Sequence, residues 1–133
     1  MTTTGHATAS DSMKVTVLAA ARLVAVRFAP DTALTGAHGT RMVDALKTVV
    51  GARGDLFGLM ADARGVTGTD AEYRAVTGAF FRAHRDDARI ALTNLAPVVR
   101  ILAEMFRVGI GLQLKTFPDE AAARSWLRTQ GVG

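Results

Sequence analysis

Short apolar runs rich in β-branched residues alternate along this chain with longer segments whose apolar residues recur every three or four positions. The short runs predict β-strands, and the longer segments predict amphipathic helices. The predicted strands are residues 14–18, 23–28, 56–61, 90–92 and 112–117. A helical segment follows each of the last four, so the predicted order is ββαβαβαβα.

The first two strands are too close in sequence for parallel pairing, because a parallel crossover needs a dozen residues or more. Only residues 19–22 separate them, which predicts an antiparallel hairpin, with a helical reading of this Ala-rich linker as the alternative. The other strands alternate with helices, which predicts parallel pairing. We therefore expect an α/β fold with a mixed sheet of about five strands and about four helices. Residues 112–117 are expected at its edge.

Capping residues predict where the helices begin. Thr35 can cap a helix that runs to about residue 50, and Thr69 with Glu72 has the spacing of a capping box. Asn94 can cap the third helix, with Pro97 in its first turn, where a missing amide costs little. The residues expected to end the first, third and fourth helices are Gly51, Gly109 and Gly131.

Residues 56–72 contain the strongest candidate for a functional surface. Residues 56–61 are continuously apolar, which is typical of a strand covered on both faces. Polar side chains then gather where this strand and the next one end, and in open α/β sheets ligands and partners tend to meet that edge. The candidate partner-binding residues are Asp62, Arg64, Thr67, Thr69, Asp70, Glu72, Thr93 and Asn94. The alternative is that all of them are turn and cap residues.

The third predicted helix has an unusually broad apolar face, formed by Val98, Ile101, Leu102, Met105 and Phe106. Such a face is most often core or a homodimer contact. It could also cover a small apolar or lipid ligand held between this helix and the sheet.

Composition narrows the class of protein. The 133 residues carry 16 Lys and Arg against 12 Asp and Glu, a net charge of +4 that is scattered rather than clustered, so nucleic-acid binding is not expected. There is no cysteine, which is compatible with a reducing cytoplasm. No apolar window is long enough for a transmembrane segment. Residues 1–12 are expected to be a disordered leader before a single domain of residues 13–131.

The sequence contains no recognisable set of catalytic or metal-binding residues. Serine occurs only at positions 10, 12 and 125, and no nucleophile elbow or phosphate-binding loop is present. Asp62 and Lys115 have the placement of a phospho-receiver pair, but residues 13–28 lack the acidic pair that such proteins use to hold Mg²⁺. The run from His84 to Asp87 is interpreted as surface charge. We expect no enzyme, cofactor or metal.

Three stretches resemble the STAS domains, the anti-sigma-factor antagonist family, and more closely their SpoIIAA-like, STAS/SEC14-type bacterial relatives. They are LFGLMADARGVTGTD (56–70), ARIALTNLAPVVRILAEMF (88–106) and LKTFPDEAAARSWL (114–127). The resemblance implies a cytoplasmic signalling or scaffolding domain that binds a protein partner such as a regulator, a kinase or a scaffold component. In the family, a Ser or Thr directly after the second Asp is phosphorylated. Here Asp70 is followed by Ala71 and Glu72, so the phospho-acceptor is missing.

Overall fold

The computed structural model describes residues 9–133 and has a five-stranded mixed sheet at its centre. The elements in chain order are α1 (Ala9–Ser12), β1 (Met13–Leu18), β2 (Leu23–Phe28), β3 (Thr32–Leu34), α2 (Gly36–Lys47), β4 (Phe57–Asp62), β5 (Val66–Thr69), α3 (Ala71–Ala83), β6 (Ala88–Thr93), α4 (Pro97–Ile110), β7 (Gln113–Phe117) and α5 (Glu120–Gln130). The main sheet has the order β1-β2-β4-β6-β7. Within the predicted leader, residues 9–12 form the short helix α1, and residues 1–8 lie outside the described part.

The predicted hairpin is confirmed. β1 pairs antiparallel with β2, from Met13 opposite Phe28 to Leu18 opposite Leu23, and all other pairs in this sheet are parallel. The Ala-rich linker forms one 3₁₀ turn, so the helical alternative describes its local structure. Arg22 closes the turn in the left-handed conformation, with φ of 53°. β7 lies at the other edge, as predicted.

The two faces of the sheet are covered unequally. Of the α-helices in residues 9–133, only α5 contributes to the buried cluster on one face, which includes Leu23, Met60 and Leu127. The other face carries α2, α3 and α4 over a larger core that includes Leu59 and Phe81. Because successive side chains of a strand point to opposite faces, β4 contributes to both clusters. The prediction that this strand is covered on both sides is therefore confirmed.

A second, two-stranded sheet was not predicted. β3 pairs in parallel with β5, and these strands lead directly into α2 and α3. Both are only three or four residues long, and the sequence predicted no strand at either position. Their pairing depends on contact between distant segments: the amide of Thr32 donates to the carbonyl of Gly65 (2.7 Å) and that of Asp70 to Leu34 (2.9 Å).

One of the three predicted helix-capping residues is confirmed. Thr35 is the N-cap of α2 and forms a capping box with His38. The predicted box of Thr69 and Glu72 is wrong, because β5 continues through Thr69 and the carboxylate of Asp70 caps α3 by accepting from the Tyr73 amide (2.7 Å). Asn94 does not cap α4, whose N-cap is Ala96 with Pro97 following it. The side chain of Asn94 instead bonds Asp62.

The predicted helix ends are right in one case of three. Gly131 ends α5 in the left-handed conformation, with φ of 98°. α2 stops earlier than predicted, at Lys47, with Thr48 rather than Gly51 as its C-cap. α4 continues through Gly109 and ends at Gly111, with φ of 82°. A sequence with several glycines near a helix end does not reveal which one adopts the left-handed conformation.

Two glycines one turn apart allow α3 to pack closely against α2. A Cβ atom at Gly39 would lie 3.3 Å from Cδ1 of Tyr73 and 3.4 Å from Cβ of Val76. A Cβ atom at Gly36 would collide with the side chain of Glu72. The Glu72 carboxylate thus lies over the first residue of α2, beside the positive end of the helix dipole, where a negative charge is stabilising.

Substituting Gly36 with alanine tests this contact. We expect Gly36→Ala to lower the free energy of unfolding by about 1 kcal/mol in the natural chain, because the added methyl group displaces Glu72 from the start of α2. In a Glu72→Ala background the same change should be neutral or stabilising. Urea unfolding of all four proteins of this double-mutant cycle gives the coupling energy.

Gly109→Ala is the matched control, because Gly109 lies in α4 and a Cβ atom there would have no described atom within 4 Å beyond its chain neighbours and the adjacent helix backbone. It should stabilise the protein by up to about 1 kcal/mol through helix propensity alone. Equal effects of Gly36→Ala with and without Glu72 would contradict the proposed contact.

Candidate functional site

A polar cleft of about 200 Å³ lies where the carboxyl ends of the central strands meet the start of α5. The half-buried Asp62 organises it by accepting from the Arg64 amide (3.0 Å) and from the Asn94 side chain (3.0 Å). Across the cleft Arg27 donates to Glu120 (3.4 Å). Because both signs of charge are present and already partly paired, the cleft does not favour a ligand of one particular charge.

The predicted rim residues do not form one site. Asp62, Arg64, Thr93 and Asn94 line the cleft, and the other four do not. The Thr93 side chain is only 2% exposed, so it is not available to a partner. Arg27 and Glu120 also line the cleft but were not predicted, although the parallel register of β2 with β4 places Arg27 beside Asp62.

The remaining candidates, Thr67, Thr69, Asp70 and Glu72, lie on β5 and at the start of α3. Three of them have contacts within the fold. Asp70 caps α3, Glu72 lies over α2, and the Thr69 hydroxyl accepts from Arg74 (2.9 Å). Ala71 and Glu72 occupy the first two positions of α3, where the family resemblance would place the phospho-acceptor.

An apolar cavity of about 120 Å³ lies beneath α4, between this helix, α3 and the sheet. Its wall is almost entirely apolar, with contributions that include Leu59, Ala61, Leu92, Val99, Leu102 and Phe106. α4 contacts α3 mainly at one level, where the rings of Phe106 and Phe81 meet edge to face at 6.2 Å. The helix therefore spans the space above the sheet without filling it.

The cavity wall includes four polar residues, Thr69, Tyr73, Arg74 and Thr77. The Tyr73 hydroxyl donates to Sδ of Met42 at 3.8 Å, a weak acceptor. Burial raises the pKa of Tyr73, so it remains a neutral donor. Arg74 donates from one guanidinium nitrogen to the Thr69 carbonyl (2.8 Å) and hydroxyl. The Thr77 hydroxyl donates to the Tyr73 carbonyl (2.8 Å).

The outer side of α4 is an exposed apolar stripe, which we define as Val98, Ile101, Met105 and Val108. Their exposed fractions are 56%, 61%, 67% and 66%. The predicted apolar face thus divides in two. Leu102 and Phe106 face the cavity half-buried, whereas the stripe faces solvent. Helical spacing predicted that these residues share a broad face but not which part of it would be covered.

Ser12 and His38 form a buried pair that resembles a nucleophile and its base. Nε2 of His38 lies 2.7 Å from the Ser12 hydroxyl. The backbone amide of Thr35 donates to Nδ1 (3.0 Å), so Nδ1 carries no proton. In the neutral ring the proton is then on Nε2, which donates to Ser12 and cannot accept its proton. The pair therefore joins α1 to α2 and has the wrong tautomer for nucleophile activation.

Residues 9–133 hold no group of three or more His, Cys, Asp or Glu side chains placed to bind a metal ion. Among the helices of this part of the chain, none is long and apolar enough to cross a membrane.

Comparison with solved structures identifies a shared fold. The structure is similar to an uncharacterised protein of the DUF3478 family with a SpoIIAA-like fold from Shewanella loihica PV-4, with a TM-score of 0.66 and 13% identity over 87% of this chain and 94% of that one. It is also similar to the anti-sigma-factor antagonist SpoIIAA in its unphosphorylated form, with a TM-score of 0.54 and 13% identity over 91% of this chain and 100% of that one. No protein-family model and no curated protein matches the sequence. The chain thus has a SpoIIAA-like fold, which confirms the expected architecture.

The neutral state of His38 predicts a pH dependence of stability. Burial and the neighbouring Arg41 lower its pKa below the usual 6.5, against a smaller opposite effect of Asp70. A lowered pKa means that the unfolded chain binds the proton more readily. The stabilisation by neutral His38 is therefore present above pH 6.5 and is lost as the pH falls through the lower pKa of the folded state.

His38→Gln is the matched variant, since glutamine can accept from the Thr35 amide at this position but does not titrate. Urea unfolding between pH 7.5 and 5 should show that the natural chain loses stability relative to this variant as the pH falls. The other histidines are present in both proteins, so their contributions to the pH dependence of stability cancel in the difference. A stability difference that does not vary with pH would contradict the assigned protonation state.

Proposed function

We propose that this chain is a non-enzymatic bacterial regulatory or scaffolding domain that binds a partner protein in the cytoplasm. The observation that carries the proposal is the apolar stripe of α4. Single exposed apolar residues are common on protein surfaces, but contiguous patches typically indicate interaction sites. Four large side chains at positions i, i+3, i+7 and i+10 of one helix form such a patch.

The charges beside the stripe indicate the character of the partner. On α4 itself, Arg100 and Arg107 lie on the polar side, with Arg107 paired to Glu104. On α3, Arg74 and Arg82 lie one turn to either side of Gly78, at which a Cβ atom would contact Phe106 of α4. A surface with an apolar centre and mainly basic flanks is complementary to an apolar ridge bordered by acidic residues. We therefore propose a partner with an acidic amphipathic helix.

The exposed polar residues of the cleft and of the segment from β5 to the start of α3 are proposed as further contacts of the partner. They are Arg64, Thr67, Asp70, Glu72 and Asn94, without the buried Thr93 and the half-buried Asp62 and Thr69. The similar solved structure described as an anti-sigma-factor antagonist supports a protein as the partner. With Ala71 and Glu72 at the start of α3, we propose binding that does not depend on phosphorylation there. Substitutions of Asp70 or Glu72 would also disturb contacts within the fold. Substitutions in the stripe are therefore the more direct test of partner binding.

Polar substitution of the stripe should weaken partner binding. We expect the double variant Ile101→Gln, Met105→Gln to weaken the complex at least about tenfold, since central apolar contacts dominate the energy of an interface. The partner would first be identified by in-cell crosslinking and mass spectrometry, and then purified for calorimetric titration. Val17→Thr, which changes an apolar residue that is 43% exposed on β1, is the control.

Two results would contradict this proposal. One is an unchanged affinity of the stripe variant for the purified partner. The other is concentration-dependent dimerisation of the natural chain in sedimentation experiments that the stripe substitutions remove, because a second copy would then cover the stripe.

A second candidate function is binding of a small apolar ligand in the cavity beneath α4. Genuinely apolar cavities of about 150 Å³ in proteins remain dry and bind molecules as large as benzene. The cavity here is of similar size, at about 120 Å³. It lies between α4 and the sheet, the location at which the broad apolar face led us to expect such a ligand.

Filling the cavity tests this candidate. Ala103 lies in the cavity wall, and Ala103→Leu should place three additional carbon atoms in the empty space. We expect benzene to shift the amide resonances of cavity residues in the natural chain, with affinity reduced at least about fivefold in the variant because the space is occupied. Ala79→Leu, an exposed change on α3, is the control. Equal binding by both variants would contradict the candidate.

A further inference from the structure

Arg74 is the only charged residue in the cavity wall, as far as the described residues show. Its hydrogen bonds use one guanidinium nitrogen and go to two neutral oxygens, both of Thr69. A guanidinium group has five N–H donors. Within residues 9–133 Arg74 forms no ion pair, although an arginine beside an apolar wall is well suited to bind a carboxylate through two parallel hydrogen bonds.

The other polar groups of the wall also offer donors. Among the described residues the Tyr73 hydroxyl donates to the sulfur of Met42, and a ligand oxygen would be a stronger acceptor for it. Among the described residues no Asp or Glu lines the cavity, so the wall offers a cationic ligand no carboxylate partner. Arg74 and Tyr73 both belong to the first turn of α3 and both line the cavity, the Tyr73 hydroxyl on the Met42 side and the exposed Arg74 on the Thr69 side.

We propose that the cavity beneath α4 binds a short-chain aliphatic carboxylate, with its alkyl chain against the apolar wall and its carboxylate on Arg74. This inference rests on the second candidate function, and it specifies the ligand class of the same cavity. The volume limits the chain length, because a space that accommodates about one benzene ring cannot enclose a long acyl chain. The free carboxylate, rather than a membrane lipid, is therefore the ligand that fits.

Three ligands with the same six-carbon chain separate the contribution of the head group from that of the cavity. They are hexanoate, hexan-1-ol and hexylammonium, each titrated into the isotope-labelled full chain while amide resonances are followed by NMR. We expect hexanoate to bind roughly fivefold or more tightly than hexan-1-ol, and hexylammonium to bind least. The shifts should centre on cavity residues such as Ala63, Leu102 and Ala103.

Arg74→Gln should reduce the affinity for hexanoate to that for hexan-1-ol and leave the affinity for hexan-1-ol unchanged. The unchanged alcohol affinity shows that the cavity is intact in this variant. Arg100→Gln is the matched control, because Arg100 lies on the polar side of α4, bonds Thr116 on β7 and does not line the cavity. It should retain the preference for hexanoate.

The outcomes distinguish the preference for a carboxylate from ligand binding by the cavity as such. Equal affinities for hexanoate and hexan-1-ol, or a preference for hexanoate that survives Arg74→Gln, would overturn the carboxylate proposal and leave the apolar cavity as a binding site. Absence of shifts at cavity residues with all three ligands would overturn both.

Discussion

The close packing of α2 against α3 is the constraint on which the arrangement of the helical layer depends. Gly36 and Gly39 allow the two helices to approach, and the Glu72 side chain fits over the first turn of α2. The pair covers the part of the sheet near β1 and β2, with Met42 and Leu46 in the core. α4 lies over the part of this face formed by β6 and β7, where Ile90, Leu92 and Leu114 line the cavity beneath it. It is supported at Phe106 and Ile110 but leaves a cavity over the neighbouring strands.

Both candidate functions follow from this incomplete coverage. One helix cannot bury a wide apolar arc on all sides, so its inner part lines a cavity and its outer part remains in solvent. A cavity and an exposed apolar patch each reduce the stability that full burial would give. Their presence on the same helix makes α4 the element at which a ligand and a partner could influence one another. By contrast, His38 bonds the start of α2, Asp70 caps α3, and Glu72 lies over the first residue of α2.

The sequence was sufficient to predict the strands and the strand directions of the main sheet. Apolar alternation and run length identified all five strands of the main sheet, and the short linker of residues 19–22 required the antiparallel hairpin. These features were predictable because they follow from local periodicity and chain length. Helix starts were harder to place. Near α3, both Thr69 and Asp70 are good capping residues, and the choice of Asp70 depends on how far β5 pairs with β3.

The candidate site was only partly predictable, because its polar residues do not all meet. The parallel register brings Asp62, Arg64 and Asn94 together in the cleft but leaves Thr67 and Asp70 outside it. By itself, the sequence determined which residues share a strand or a helix face, since those relations depend on local periodicity alone. Only the tertiary structure decided which faces are covered, because coverage depends on how closely distant helices can pack. That packing is why half of the apolar face of α4 encloses a cavity while the other half is exposed.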